Sequence, residues 1–137
     1  MADGDKVLNV AVVSAERALW TGRAKSLVAK TPEGDIGILP GHEPVLALLV
    51  ESPLRIEEFD GSKLLIAVHG GFFSVEHDNV NVIAEVAELA EDIDLERAQA
   101  ALARLQEGGV SPEEGPAVRR AETRIQVAGV AKGIVSR

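Results

Sequence analysis

The spacing of apolar residues changes near residue 90, and this change limits the fold more than any other feature of the sequence. Before it, short β-branched or alternating runs are separated by turn-forming stretches such as "PEGD", "FDGSK" and "HDN". Closely spaced short strands of this kind predict an all-β sandwich or barrel and not a parallel sheet. We expect strands in seven runs: Lys6–Ser14, Ser26–Thr31, Val45–Val50, Leu54–Phe59, Lys63–His69, Phe72–His77 and Val80–Val86.

After Asp94 the apolar residues follow a helical period. Asp94 is placed to cap the N-terminus of this helix, and Gly108–Gly109 is placed to end it. The apolar positions lie three or four residues apart and therefore form one stripe along the helix. They are Leu95, Ala98, Leu102 and Leu105.

A second helix is predicted after a short loop. "SPEE" (Ser111–Glu114) is a helix-start signal, but Gly115–Pro116 interrupts the pattern, so the helix is expected to begin near Pro116. Its apolar stripe is Val118, Ala121, Ile125 and Ala128. The two helices predict an antiparallel hairpin that is weakly held on its own and packs on the β body or on a partner. We therefore expect a β domain in residues 1–90 and a helical hairpin domain in residues 91–137.

Composition excludes several classes of function. The net charge is −8, which argues against binding to nucleic acid, and the absence of cysteine excludes disulfides, thiolate metal sites and cysteine nucleophiles. The N-terminus lacks the pattern of a signal peptide, and no apolar run approaches the roughly 18 residues of a membrane span. Any membrane association is expected to come through a partner.

Catalytic and metal-binding patterns are missing from the sequence. The histidines (His42, His69 and His77) have no metal-ligand spacing, and no G-x-S-x-G is present, so neither a metal site nor a catalytic residue is predicted. We interpret His69 and His77 as surface or edge histidines. The alternative is a stand-alone small β-sandwich ligand-binding module or hydrolase, which would need His69, His77 and Glu76 to converge in one pocket.

Two pairs of arginines lie on the predicted helices. At 100° per residue, Arg97 and Arg104 are within about 20° of each other, and Arg120 and Arg124 are within about 40°. A hairpin can bring both pairs to one side, where four guanidiniums would suit a polyphosphate. Spacing alone favours the plainer interpretation, in which the arginines form a solvated face with salt bridges to acids such as Glu96 and Glu122.

The sequence resembles the epsilon subunit of the F-type ATP synthase over nearly its whole length. The "G-D-I-G-I-L-P-G-H" stretch is the most specific part of the resemblance. The stretches that carry it are Val12–Gly22, Pro32–Leu49, Asp92–Arg104 and Arg119–Ala128. The resemblance implies an N-terminal flattened antiparallel β-sandwich followed by a C-terminal antiparallel two-helix hairpin.

The resemblance also implies a role in a rotary motor. Such a subunit does no bond chemistry and couples rotation of the c-ring to the catalytic head through the gamma subunit. In many relatives it restrains ATP hydrolysis when its hairpin extends toward the catalytic alpha and beta subunits. It is expected to be peripheral on the cytoplasmic face of the bacterial plasma membrane, touching the membrane only through the c-ring. In relatives, the position of Asp35 lies in a loop near the c-ring, and that of His42 lies near gamma.

Finally, the resemblance implies a regulatory nucleotide site. Some bacterial relatives bind ATP on the folded hairpin through an Ile/Leu-Asp-x-x-Arg-Ala pattern, which is present here as Ile93, Asp94, Arg97 and Ala98. The associated positions are filled by Glu88, Arg104, Arg120 and Arg124. No cofactor is expected to be required, and this regulatory ATP would not need Mg²⁺. The glycines of the loop between the helices would allow the second helix to be displaced from the first.

Overall fold

The computed structural model describes residues 6–133, which form nine strands, two α-helices and two short 3-10 turns. The strands are β1 (Leu8–Ser14), β2 (Ala18–Thr31), β3 (Gly34–Ile38), β4 (Val45–Leu49), β5 (Ser52–Glu58), β6 (Lys63–Val68), β7 (Gly71–Glu76), β8 (Asn79–Ala84) and β9 (Ala87–Leu89). The helices are α1 (Leu95–Glu107) and α2 (Gly115–Ala131), and the 3-10 turns are Ala90–Asp92 and Pro112–Glu114. The predicted class, a β-sandwich followed by a helical hairpin, is confirmed.

The strands follow the order β4-β7-β8-β1-β2-β5-β6-β9, and β3 pairs with β2. Neighbouring strands are antiparallel with one exception, since β1 and β8 run parallel in an unbroken register from Asn9 opposite Asn79 to Ser14 opposite Ala84. These two strands are separated by most of the β domain, so no hairpin turn fixes their relative direction. The predicted antiparallel sandwich therefore contains this parallel pair, which the sequence did not predict.

One apolar core fills the sandwich. Alternate residues of each strand point into it, as in β8, where Val80, Val82 and Ala84 are buried while Asn79 and Asn81 are exposed. Burying a side chain of this size stabilises the fold by roughly 1.5–3 kcal/mol. The largest fully buried side chains are Phe73, Leu8, Leu27, Ile38, Leu54, Ile56 and Ile66. Strands with this alternation were predicted correctly because only one of their faces is apolar.

Three strand segments were not predicted. Strand β2 begins at Ala18, eight residues before the predicted run, and β3 and β9 were not expected at all. Strand β3 contains Gly34 and Gly37, which weaken the sequence signal, yet it is held by backbone pairing with β2 across a tight turn. Strand β9 has three half-buried residues and pairs with the end of β6. Long-range pairing, rather than local preference, makes these segments strands.

The predicted capping signals are found at both ends of α1 and in the 3-10 turn before α2. Asp94 Oδ1 accepts a hydrogen bond from the Arg97 backbone N–H at 3.0 Å, and Gly108 is the C-cap of α1. Before α2, the Ser111 backbone N–H donates to Glu114 Oε1 at 3.1 Å. Helix α2 begins at Gly115, one residue from the expected start. Capping depends on neighbours in sequence, which is why these ends could be predicted.

Helix α2 lies between α1 and the sheet, where it contacts β5 and β6. Strand β6 is buried on both faces, with Ile66 and Val68 in the sandwich core and Leu65 and Ala67 under the helices. Leu65 and Ala67 form a second core with Ile93, Leu95, Val127 and Ala128. Because α2 has two packed sides, its buried surface is wider than the predicted stripe and includes Thr123 and Val127. The expectation that the hairpin packs on the β body is confirmed.

Candidate functional site

A cavity of about 480 Å³ lies between α1, α2 and β9. Each of the eight residues predicted as a nucleotide site lines it: Glu88, Ile93, Asp94, Arg97, Ala98, Arg104, Arg120 and Arg124. Asp92 and four small or apolar side chains of the hairpin complete the wall; the four are Ala101, Leu105, Ala117 and Ala121. The hairpin therefore brings the two arginine pairs to one side, and the alanines leave open the space between the pairs.

Three of the four arginines have no carboxylate partner in the part of the chain that the structure describes. Arg97 and Arg104 are exposed on α1, and Arg120 is half-buried on α2. Within residues 6–133, neither Glu96 nor Glu122 forms an ion pair with them, so the salt bridges of the plainer interpretation are not formed. Three of the four guanidinium groups that line the cavity, those of Arg97, Arg104 and Arg120, therefore form no ion pair within the described residues.

The motif residues Asp94, Ile93 and Ala98 have structural roles. Asp94 is the N-cap of α1, and its side chain is used by the Arg97 backbone N–H. Ile93 is 7% exposed and belongs to the core between the hairpin and β6. Ala98 is 6% exposed on the face of α1 toward the cavity, where a larger side chain would occupy the space between the helices.

Glu88, on β9, joins the hairpin to the sheet through one oxygen atom. Its Oε1 accepts a hydrogen bond from Arg124 Nε of α2 at 2.7 Å and another from His69 Nε2 at 2.7 Å. The other ring nitrogen of His69, Nδ1, is in contact with Glu51 Oε2. A chain of four ionisable side chains, Glu51, His69, Glu88 and Arg124, therefore runs from the β4–β5 turn to α2. Sequence reasoning found Glu88 and Arg124 but missed Glu51 and His69.

The hydrogen bonds along this chain shift the pKa values of its two middle residues, His69 and Glu88. Burial alone would lower the pKa of His69, but its hydrogen bonds to Glu51 and Glu88 outweigh burial and raise that pKa. The hydrogen bond from His69 lowers the pKa of Glu88, with a further contribution from Arg124, against the opposing effect of burial. Since ionised carboxylates only accept hydrogen bonds, both contacts of His69 are satisfied when its ring is an imidazolium.

The interpretation of the histidines as surface or edge residues needs correction for His69. His69 is 6% exposed and is not a surface or edge residue. It directly follows β6, and its ring lies between the carboxylates of Glu51 and Glu88. His69 and His77 lie at opposite ends of β7, and His77 is exposed in a turn with φ 51°. They do not converge with Glu76, so the pocket required by the alternative, a stand-alone ligand-binding module or hydrolase, is not formed.

The two predicted partner-contact residues lie in different surroundings. Asp35 is exposed in strand β3, opposite Lys30, and not in a loop as expected, because β3 pairs with β2. It lines a cavity of about 410 Å³ together with Arg119 and Glu122 of α2. His42 does lie in a loop, between β3 and β4, and its Nδ1 donates to the Glu43 carbonyl at 2.7 Å.

An exposed apolar strip crosses one edge of the sandwich. Leu48 on β4 is opposite Phe72 on β7, which in turn is opposite Ile83 on β8. These side chains are 65%, 41% and 37% exposed, and Leu46 on β4 is 71% exposed. Aligned exposed apolar side chains at a sheet edge mark an interaction surface. The strip was missed because "VLALLV" looks like a core strand when it is considered without its partners.

Two kinds of feature are absent from residues 6–133. No helix in this range is long and apolar enough to cross a membrane. Within the same range, no group of three or more His, Asp or Glu side chains is arranged to hold a metal ion.

Comparison with known sequences gives one family. The family described as "ATP synthase, Delta/Epsilon chain, beta-sandwich domain" matches residues 7–90. The ATP synthase epsilon chain of Streptomyces griseus is 43% identical over 123 residues, which cover 90% of this chain and 96% of that one. The epsilon chain of Rhodococcus jostii is 52% identical over 97 residues, which cover 70% of this chain and 80% of its own length.

Comparison with solved structures agrees with this family. A chain in the Euglena gracilis mitochondrial ATP synthase, solved as OSCP/F1/c-ring, matches with a TM-score of 0.69 and 25% identity, covering 97% of this chain and 85% of that chain. A chain in the Tetrahymena thermophila enzyme, solved as central stalk and c-ring, shares the fold with a TM-score of 0.56 and 15% identity. The family match, the identities and the covered fractions show that this protein belongs to the epsilon chains of ATP synthase.

Proposed function

We propose that this protein is a non-catalytic subunit of the central stalk, which couples rotation of the c-ring to the catalytic head through gamma. Family membership supports the assignment to the complex. The observation that carries the proposal is the pair of surfaces on one small chain: an exposed apolar strip on the sandwich and a hairpin held on the opposite part of the sheet by a small core. The strip suits a permanent contact with a partner, and the hairpin suits a contact that forms and breaks.

The gamma subunit is the proposed partner of the apolar strip. Leu46, Leu48 and Phe72 would be buried in this interface, with His42 in the neighbouring loop. Leu48→Glu should weaken co-purification with gamma at least tenfold, because it places a charge within the apolar strip. Val110→Glu is the matched control, since Val110 is 45% exposed but lies in the loop of the hairpin. Equal loss of gamma in both variants would contradict this assignment.

The c-ring is the proposed partner near Asp35, and it would supply the link to the membrane. The protein would then be peripheral on the cytoplasmic face of a bacterial plasma membrane, in a proton-translocating enzyme. Asp35→Lys in the assembled enzyme should reduce ATP synthesis driven by a proton gradient while gamma still co-purifies. Unchanged synthesis would remove Asp35 from this contact. Glu33→Lys is a control for charge, because Glu33 lies in the adjacent turn.

The hairpin is proposed to restrain ATP hydrolysis when it leaves the sheet and contacts the alpha and beta subunits. The core that holds it is small, with two side chains from β6 and four from the hairpin and the segment before it. Removal of residues 91–137 should raise hydrolysis by the assembled enzyme and leave synthesis in place. Unchanged hydrolysis would refute inhibition by the hairpin without affecting the coupling role.

ATP is the proposed regulatory ligand of the cavity between the helices. Arg97, Arg104 and Arg120 would contact the phosphates, since their charges are not paired within the described residues. The carboxylates of Glu88 and Asp94 would accept hydrogen bonds from a ribose or a base. Because guanidinium groups line the cavity, binding is expected without Mg²⁺.

Calorimetric titration of the isolated chain with ATP, in the presence of a chelator, tests this ligand. Arg120→Gln should reduce affinity by about tenfold or more, because it removes a charged hydrogen-bond donor worth about 1.5–3 kcal/mol. Arg119→Gln is the matched control, since Arg119 is the neighbouring residue on α2 but lines other cavities. No binding at millimolar ATP, or equal loss in the two variants, would refute the nucleotide site.

A further inference from the structure

His69 and Arg124 share a single acceptor. Both His69 Nε2 and Arg124 Nε lie 2.7 Å from the same atom, Glu88 Oε1. His69 is buried and fixed on its other side by Glu51, whereas the side chain of Arg124 is 35% exposed and lines the cavity. Of the two donors, Arg124 is therefore the one that can move toward a bound ligand.

The interaction of His69 with Glu88 depends on its proton. As an imidazolium, His69 donates to Glu51 and to Glu88 at once. A neutral ring has one N–H, so donation to Glu51 leaves the lone pair of Nε2 facing the Glu88 carboxylate. In that state the guanidinium of Arg124 is the remaining strong donor to Glu88 Oε1. Loss of the proton from His69 thus ties Arg124 more tightly to Glu88.

We propose that His69 is a positioning residue for the cavity between the helices: when protonated, it takes over Glu88 and releases Arg124 to an anionic ligand. The inference rests on the proposed nucleotide site and adds a proton-dependent control to it. A phosphate group that draws Arg124 away from Glu88 leaves the carboxylate with a charged partner when His69 is protonated. With neutral His69, the same movement leaves Glu88 half-buried and without its cation.

Other charged groups lie near His69 and also act on its protonation. Lys30 of β2, Glu85 of the β8–β9 turn, and Arg119 and Arg120 of α2 line a neighbouring cavity together with His69 and Glu51. Glu51 and Glu88 are the two carboxylates in contact with the ring. The hydrogen bonds to them raise the pKa of His69, so the proton is expected to leave above the ordinary range near pH 6.5.

A test without ligand uses NMR titration of the His69 ring in the full chain. The pKa of His69 should be higher in Arg124→Gln than in the natural sequence, because a competing cation has been removed from Glu88. Arg104→Gln is the control, since Arg104 lines the cavity and does not contact Glu88. An unchanged or lower pKa of His69 in Arg124→Gln would overturn the competition.

A test with ligand uses calorimetric titration with ATP between about pH 6 and about pH 8.5. Affinity should fall as pH rises, by up to about tenfold per pH unit where His69 loses its single proton. In His69→Gln only the slope due to titration of ATP itself should remain, whereas His77→Asn should keep the full slope. Equal slopes in His69→Gln and the natural sequence would overturn the proposal.

The two tests separate this inference from the function on which it rests. If the natural chain binds no ATP at any pH, the nucleotide site is refuted, and the NMR titration still decides whether His69 and Arg124 compete for Glu88. If ATP binds but the slope is unaffected by His69→Gln, the nucleotide site stands and the role of His69 is refuted. Glu51→Gln provides a second variant, because it removes a charge that holds the proton and should move the affinity curve to lower pH.

Discussion

Replacement of Val127 by alanine tests whether the hairpin is held on the sheet in solution. Val127 is fully buried between α2 and β6, in the core that also contains Leu65 and Ala67. The substitution removes the equivalent of two methylene groups, or about 1.6 kcal/mol, and adds the cost of a small cavity. Alanine is the better helix former by roughly 0.5 kcal/mol, which offsets part of the loss. The free energy of unfolding should therefore fall by about 1–2 kcal/mol.

Urea denaturation followed by two probes measures this change. Circular dichroism at the helix band reports on α1 and α2, and the fluorescence of Trp20, the single tryptophan, reports on β2 of the sandwich. The midpoint of the helix signal should move to a lower urea concentration in Val127→Ala. Val130→Ala, at a half-buried position of the same helix, should lower the free energy of unfolding by less. A change below about 0.5 kcal/mol in Val127→Ala would mean that α2 does not rest on β6 in solution, and the reasoning about the cavity would fail with it.

Three further predictions concern the sheet, the buried histidine and the helix cap. Gly71→Ala should cost roughly 3 kcal/mol or more in thermal unfolding, because its φ is +121° and a Cβ would lie 2.2 Å from the Ile83 carbonyl oxygen; Gly37→Ala, in open space, should cost far less. The stability contributed by His69 should be fully present below about pH 6.5 and be lost as pH rises through its raised folded-state pKa, and a pH series of urea midpoints should be flatter in His69→Gln. Asp94→Ala should lower stability by about 1 kcal/mol in the same assay, whereas Asp94→Asn, which keeps an oxygen acceptor, should cost much less.

Features that depend on near neighbours in sequence could be predicted. A few adjacent residues determine the caps at Asp94 and Ser111 and the alternation in β1 and β8. Strands β3 and β9 could not be predicted in this way, since each is a strand only because a distant partner lies beside it. The parallel pairing of β1 with β8 has the same cause.

The same distinction applies to the cavity. The spacing of Arg97 with Arg104 and of Arg120 with Arg124 follows from helical periodicity, and the structure places both pairs on one cavity. The contact between His69 and Glu51 joins residues 18 apart across two strands, and that between Glu88 and Arg124 joins residues 36 apart. No local pattern encodes such contacts. A histidine at the end of the apolar run "LLIAV" was nevertheless a signal of burial, because a strand that is apolar at every position is covered on both faces.

The alanines of the hairpin connect its packing with its proposed regulation. Where the helices face each other, Ala98, Ala101, Ala117 and Ala121 line the cavity, so this part of the hairpin contributes little apolar burial between α1 and α2. The arginines around the same space repel one another when no anion is present. Because of both effects, the closed form of the hairpin, in which α1 and α2 pack together on the sheet, depends for its stability on contacts with β6 and Glu88. An anion in the cavity would remove the repulsion and stabilise the closed form by RT ln(1 + [L]/Kd), about 2.7 kcal/mol at a hundredfold excess over Kd. Ala121→Leu should fill the space, hold the helices together without a ligand and abolish the dependence of hairpin position on ATP.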